Sequence, residues 1–374
     1  MPTSISTSRR RSSAAARPSD DVDSSAQADE AKSVTVTKSR SNPPRSRIGL
    51  PFWFAVAMVV VVAGWWFFSD ATPAPAGLTT RPVPDQYDAD RAFGYLEQLC
   101  DLGPRPSGSE AMKRQQAMLT AFFQSRGAEV SLQQSQIRDP RSGEPVEIGN
   151  LIAKFHPDRP QRYLLCAHYD TRPFPDRDRE NPRGTFVGAN DGASGTAALM
   201  ELSHQLATLP SKVGVDIVLF DAEEFVFGET QGEYFLGSTH FAQQHVISPP
   251  DVPYVAGVLL DMVGDRELQL IYERNSLRYA REVTKSIWRT ARRLGVRAFV
   301  DRTRMQEIRD DHLPLNQIAR IPTTDLIDFD YPRPGFRAPQ YWHTTQDIPA
   351  NCSGESLVAV VWVIDQWLRE PRGS

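Results

Sequence analysis

Four short apolar runs, residues 163–167, 215–220, 255–260 and 323–327, meet acidic or imidazole side chains. The first runs into His168-Tyr169-Asp170, the second into Asp221-Ala222-Glu223-Glu224 and the third into Asp261; the fourth carries Asp325 and is followed by Asp328. If these runs are strands of one open α/β sheet, the polar groups converge in the crevice beyond the strands' carboxyl ends, where such sheets bind ligands. Crowded carboxylates push one another toward protonation, and a divalent cation among them reverses that tendency. The adjacent Glu223 and Glu224 point in different directions, so one can bind a metal while its neighbour moves a proton. A metal-assisted hydrolase or acyl transferase needs that division of labour. His343, in Tyr341-Trp342-His343-Thr344 after a Pro- and Gly-rich loop, adds an imidazole where sites are commonly built. Cys100, Cys166 and Cys352 are too few and too scattered for a thiolate zinc site or a disulfide framework, so such a metal must be held by His and carboxylates. A lone Asp at a strand end commonly caps or turns the chain; the case for chemistry rests on the set.

The runs that would position these groups are largely β-branched or aliphatic and do not alternate with polar residues, as expected of strands buried on both faces. Helical spacing separates them. It is seen at Phe93, Leu96 and Leu99, at Met118, Leu119, Phe122 and Phe123, over 197–209 and 277–294, and at Leu357, Val360, Val361, Ile364 and Leu368 after a candidate N-cap, Ser353. This alternation predicts an α/β fold, a three-layer sandwich with a mostly parallel, mixed central sheet.

The catalytic fold is assigned to residues 88–370 of the 374, as one large domain. Residues 1–48 hold no aromatic residue and twelve serines, and they predict a disordered tail. Residues 50–68 are nineteen consecutive uncharged positions with Trp53 at one end and Trp65 and Trp66 at the other. A helix of that length reaches roughly 28 Å, close to the hydrocarbon thickness, so 49–69 is predicted to be one transmembrane helix acting as a signal anchor. Arg40, Arg45 and Arg47 precede it, against Asp70 and a distant Arg81 after it. That bias places the tail in the cytoplasm and the catalytic domain outside the cell membrane. Residues 70–87, with four prolines, read as an extended linker. A formal net charge of −4 gives no basic excess of the kind that gathers nucleic acid, so no nucleic-acid partner is expected.

Five motifs in order carry a family resemblance: His168-Tyr169-Asp170, the run Gly188-Ala189-Asn190-Asp191-Gly192-Ala193-Ser194-Gly195, Phe220-Asp221-Ala222-Glu223-Glu224, Leu260-Asp261-Met262-Val263-Gly264, and Trp342-His343-Thr344. The chain resembles the clan of zinc aminopeptidases and glutaminyl cyclases over about residues 90–369. Phe186-Val187-Gly188-Ala189, Asp310-Asp311-His312-Leu313-Pro314, Trp342 directly ahead of His343, and the early run Gly103-Pro104-Arg105-Pro106-Ser107-Gly108-Ser109 are more similar to its glutaminyl-peptide cyclotransferase branch. The resemblance implies one Zn²⁺ on Asp191, Glu224 and His343 with a coordination position open, Glu223 as the proton-transfer residue, and Asp261 and Asp310 as carboxylates hydrogen-bonding around the substrate amine. It implies Trp342 as a wall of the substrate pocket. Asp325 stands where animal members carry histidine, as in bacterial relatives, and is placed with the substrate-binding residues.

Two enzymatic readings follow. In the first, the protein closes the N-terminal glutamine of a peptide or protein into pyroglutamate with release of ammonia. In the second, His168 and Asp261 join the ligands, Asp191 bridges two zinc ions, and Glu223 activates a water that removes an N-terminal residue. A third reading, a binding protein on a dead hydrolase fold, requires loss of a ligand, and Asp191, Glu223, Glu224 and His343 are all present.

Overall fold

The computed structural model describes residues 77–228, 231–303, 307–329 and 341–370. The tail 1–48, the apolar stretch 49–69 and the Pro-rich loop 332–339 lie outside the described residues. Among the described residues no helix is long and apolar enough to cross a membrane.

The chain begins with α1 (Ala89–Asp101), α2 (Glu110–Ser125), β1 (Glu129–Arg138), β2 (Pro145–Phe155) and β3 (Gln161–His168). Next come α3 (Ser194–Leu206), β4 (Val213–Phe220), β5 (Glu224–Gly228), β6 (Gln231–Tyr234), α4 (Leu236–Ile247) and β7 (Tyr254–Asp261). It ends with β8 (Leu270–Tyr272), α5 (Arg274–Tyr279), α6 (Arg281–Leu294), β9 (Phe299–Thr303), α7 (His312–Gln317), β10 (Thr323–Ile327) and α8 (Gly354–Arg369). The helix starts are set by local chemistry. Asp88, Ser109 and Ser353 accept hydrogen bonds from Arg91 N, Met112 N and Glu355 N, which satisfies amides that have no partner within the helix.

Six strands form the central sheet in the order β1-β2-β4-β3-β7-β10. The four from β4 to β10 run parallel, and β1 and β2 add an antiparallel edge, so the sheet is mixed. Successive strand residues point to opposite faces. Tyr163, Leu165 and Ala167 join Val215, Ile217 and Leu219 in a core shared with α1, α3, α6 and α8. Leu164 and Cys166 join Val218, Phe220 and Leu259 in a second core against Phe241 and Ala242 of α4 and Leu315 of α7. Burial on both faces is why these strands read as unbroken apolar runs, each buried aliphatic side chain contributing about 1.5–3 kcal/mol. The three cysteines are buried and free.

Three features depart from the sequence reading. The helical pattern over 277–294 is interrupted at Ala280 (φ −134°, ψ 35°). On either side, Ser276 Oγ accepts from Asp325 N at 2.9 Å and the Thr284 hydroxyl meets that of Thr324 at 2.9 Å, so β10 anchors α5 and α6 separately. The β1–β2 hairpin was invisible to a search for buried runs, because β1 is mostly exposed or half-buried. The expected linker 70–87 is described from Gly77 on, and there it is tied down. Thr79 bridges Val296, Leu78 O accepts from Arg297 N at 2.7 Å, and Tyr87 is buried with its hydroxyl on Asp365 at 2.7 Å.

Candidate active site

From β3 the chain passes through α3 to β4 on one side and later returns as β7 on the other, so the strand order reverses about β3. The crevice beyond the carboxyl ends at such a reversal is the usual ligand site of open α/β sheets. His168 ends β3 and Asp261 ends β7. Beyond β4, Ala222 is left-handed (φ 55°), and the turn sends Glu223 and Glu224 into the crevice. Asp170 fixes that turn by accepting from the backbone N–H of both Glu223 and Glu224 at 3.1 Å. Asp191 sits on the tight turn Ala189–Ala193 before α3, which Asp347 holds by accepting from Asn190 N (2.7 Å) and Asp191 N (3.1 Å). Gly192 in this turn has φ 98°, and a Cβ there would lie 2.6 Å from Asp170 O, so only glycine fits.

The side chains of three separate segments meet. His343 Nε2 is 2.7 Å from Glu224 Oε1 and 3.3 Å from Asp191 Oδ2. The other oxygen, Asp191 Oδ1, is 3.1 Å from His168 Nε2, which is 3.3 Å from Asp261 Oδ1. Asp191, Glu224 and His343 therefore form one group of potential ligands and His168, Asp191 and Asp261 another, each with ligand atoms within 4.8 Å of one another, and Asp191 belongs to both. Asp191 Oδ2, Glu224 Oε2 and Asp261 Oδ1 are buried without a hydrogen-bond partner. Buried carboxylate oxygens without a donor are costly unless a cation neutralises them, so these residues fit a metal ion. A mixed nitrogen and oxygen donor set of three, with room for a further ligand, suits a catalytic zinc.

Burial, then the charge of Glu224, pushes Glu223 well above the usual carboxylate range. Burial and the charge of Asp261 do the same to Asp310. Burial would also raise Asp191, but the nearby imidazoles of His168 and His343 hold it below the ordinary value. A carboxyl raised by burial is suited to carrying a proton, which fits Glu223.

A cavity of about 310 Å³ opens over the first ligand group, and its lining combines Glu223, Asp261, Glu307, Arg309 and Asp310 with Tyr234, Phe235, Ile308, Ile327, Phe329 and Trp342. Trp342 meets Phe329 edge-on at 4.5 Å between ring centroids and stacks obliquely on His343 at 3.9 Å. His343 itself is held in the left-handed region (φ 57°), a strained conformation of the kind that clusters at functional sites.

The ligand candidates, Glu223, Asp310 and Trp342 reach this region, whereas Asp221 accepts from Ser107 Oγ and Gly149 N, Asp328 accepts from Gln269 N, and the cavity lining does not include Asp325. Asp325 lies fully buried in β10, with Oδ2 3.7 Å from His312 Nδ1. Asp310, His312 and Asp325 form a third acidic group there, and His312 Nε2 faces Glu273 at 3.4 Å. Arg172, which the sequence reading passed over, is buried among the acids. It donates to Glu224 Oε1 (2.8 Å), to both oxygens of Asp176 (2.9 and 3.1 Å) and to the Tyr234 hydroxyl (2.9 Å). Asp176 in turn faces His343 Nδ1 at 3.6 Å. An arginine two residues beyond His168-Tyr169-Asp170 was the available signal.

Fold and site together define an α/β metalloenzyme of the exopeptidase-like type, its donors gathered on loops beyond a mixed sheet. Residues 150–368 match the sequence profile of peptidase family M28, and the chain belongs to that family. Mouse glutaminyl-peptide cyclotransferase-like protein is 28% identical over 295 residues, covering 72% of this chain and 73% of the relative. The crystal structure of Fimbriiglobus ruber glutaminyl cyclase superposes with a TM-score of 0.70 at 38% identity, covering 79% of this chain and 99% of that one. A Zn-dependent exopeptidase from Parabacteroides distasonis gives a TM-score of 0.69 at 32% identity, with 78% and 100% covered.

Proposed function

We propose that the protein is a zinc-dependent glutaminyl-peptide cyclotransferase, converting the N-terminal glutamine of peptides to pyroglutamate with release of ammonia. The observation that carries this reading is the small cavity whose lining combines the ring pair Trp342 and Phe329 with the carboxyls Glu223, Asp261 and Asp310. The likeness to glutaminyl cyclases supports it. Asp191, Glu224 and His343 would hold the zinc, which when bound supplies a Lewis acid for the side-chain amide. The wall of Trp342 and Phe329 packs the flat amide and excludes water. Asp261 and Asp310 hydrogen-bond the α-amine and set it against the amide carbon. Glu223 takes the amine proton as the new C–N bond closes a five-membered ring and returns it to the departing nitrogen. Both reacting groups belong to one residue, so high effective molarity lowers the barrier and no water needs activating.

One observation favours a second reading. His168 Nε2 lies within 3.3 Å of both Asp191 and Asp261, so a second donor group is already assembled for the two-metal centre of an aminopeptidase. Ammonia release from a glutaminyl peptide, hydrolysis of aminoacyl amides and zinc stoichiometry, measured on one preparation, separate the two. Amide hydrolysis with two zincs and no cyclisation would overturn the cyclase. The uncharged stretch 50–68 and its upstream arginines support a membrane-anchored enzyme facing away from the cytoplasm. Protease added to intact cells should then remove the catalytic domain; full protection would refute the orientation.

A further inference from the structure

Beyond Trp342 and Tyr234, which also line the catalytic cavity, lies a second groove of about 580 Å³. Arg172, Asp176, Arg177, Arg179, Gly228 and Thr344 complete its lining, so three arginines face one carboxylate. That carboxylate is spoken for, because both oxygens of Asp176 accept from Arg172. Asp178, between the two outer arginines, turns aside to the Thr345 hydroxyl (2.5 Å) and to the backbone N–H of Thr345, Glu180 and Asn181. Arg177 lies over the outer face of the Trp342 ring at 3.9 Å, and its backbone N–H donates to His343 O at 3.2 Å. Arg177 and Arg179 are exposed, and among the described residues neither pairs with a carboxylate.

We propose that this groove binds the residues that follow the N-terminal glutamine and selects peptides carrying Asp or Glu there. The inference rests on the cyclase reading for the residue placed in the neighbouring cavity. A peptide whose first side chain fills that cavity leaves across the edge shared by Trp342 and Tyr234, and its second and third side chains then meet Arg177 and Arg179. The attraction is between solvent-facing charges, so it sharpens specificity and weakens with salt, within a Debye length of about 10 Å at 0.1 M.

The test uses the zinc-loaded full chain with glutaminamide, too short to reach the groove, and with Gln-Glu-Glu and Gln-Lys-Lys. The acidic peptide should exceed the basic one about tenfold in kcat/KM at low salt, and the ratio should shrink at 0.5 M salt. Arg179→Glu should bring the ratio to one or below while leaving glutaminamide turnover within about twofold; Arg179→Gln, a milder change on the same exposed loop, should fall between. Turnover of all three substrates with no preference, or a preference unmoved by Arg179→Glu, would overturn the groove and leave the cyclase standing. If glutaminamide is not converted, the cyclase reading fails by itself. The groove is then judged by calorimetric affinity of the same peptides, where equal or undetectable binding would overturn it.

Discussion

Replacing Arg172 with methionine removes a guanidinium that is 3% exposed and keeps most of its aliphatic stem. Four hydrogen bonds go with it, to Glu224, twice to Asp176, and to Tyr234. Glu224 would keep His343 at 2.7 Å but lose the guanidinium bond that holds Oε1 in place, and Asp176, losing its two-bond fork, would be free to leave His343 Nδ1. Groups behind metal ligands typically contribute 10–100-fold to affinity, roughly 1.4–2.7 kcal/mol at about 1.4 kcal/mol per decade. The freed charge on Asp176 acts the other way, attracting a cation. Orientation should win, because Asp176 is 27% exposed and screened by water while Glu224 is 3% exposed. Titration against a fluorescent zinc chelator should therefore show affinity falling about 10–100-fold in Arg172→Met and much less in Tyr234→Phe, which loses one of the four bonds. Turnover at saturating zinc should recover most of its wild-type value. Zinc affinity equal to or tighter than wild type would refute the clamp.

Glu223→Gln should retain zinc and lose turnover by about 10²–10⁴-fold, the usual worth of a positioned proton carrier, while Glu224→Ala should lose the metal as read by elemental analysis. Zinc retained in Glu224→Ala would remove Glu224 from the ligands. Burial would raise Glu273, but the His312 hydrogen bond and charge and the amides of Asn275 and Ser276 bring it down to about 2 from an ordinary 4.5. Because the folded-state value is depressed, the stabilisation is present above pH 4.5 and lost as pH falls toward 2, and over the whole window it amounts to about 3 kcal/mol. Glu273→Gln should lower stability at pH 7 and flatten the fall in urea midpoint below pH 4.5; an unchanged acid limb would contradict this. A Cβ at Gly195 would overlap the Leu260 carbonyl oxygen where α3 crosses β7. Gly195→Ala should therefore destabilise by about 1–3 kcal/mol in urea melts, despite alanine's helix preference of about 1 kcal/mol; a stabilised variant would refute the close approach.

Residue types and order in the sequence determined the parallel core and the donor set. Strands buried on both faces must be continuously apolar, and a polar cluster at their carboxyl ends shows as His168, Glu223, Glu224 and Asp261 each just past such a run. Asp191 and His343, which follow no strand, were legible through their flanking motifs. The tertiary structure alone decided how these groups divide. That Asp191 offers one oxygen to each of two ligand groups, that Asp325 lies outside the cavity lining, and that Arg172 bonds Glu224 are distances between separate segments of the chain. Periodicity records which face a residue shows to its own element, and it carries no information on which distant element that face meets. The same limit hid the break at Ala280, flanked by bonds to β10 that the apolar spacing of 277–294 does not register.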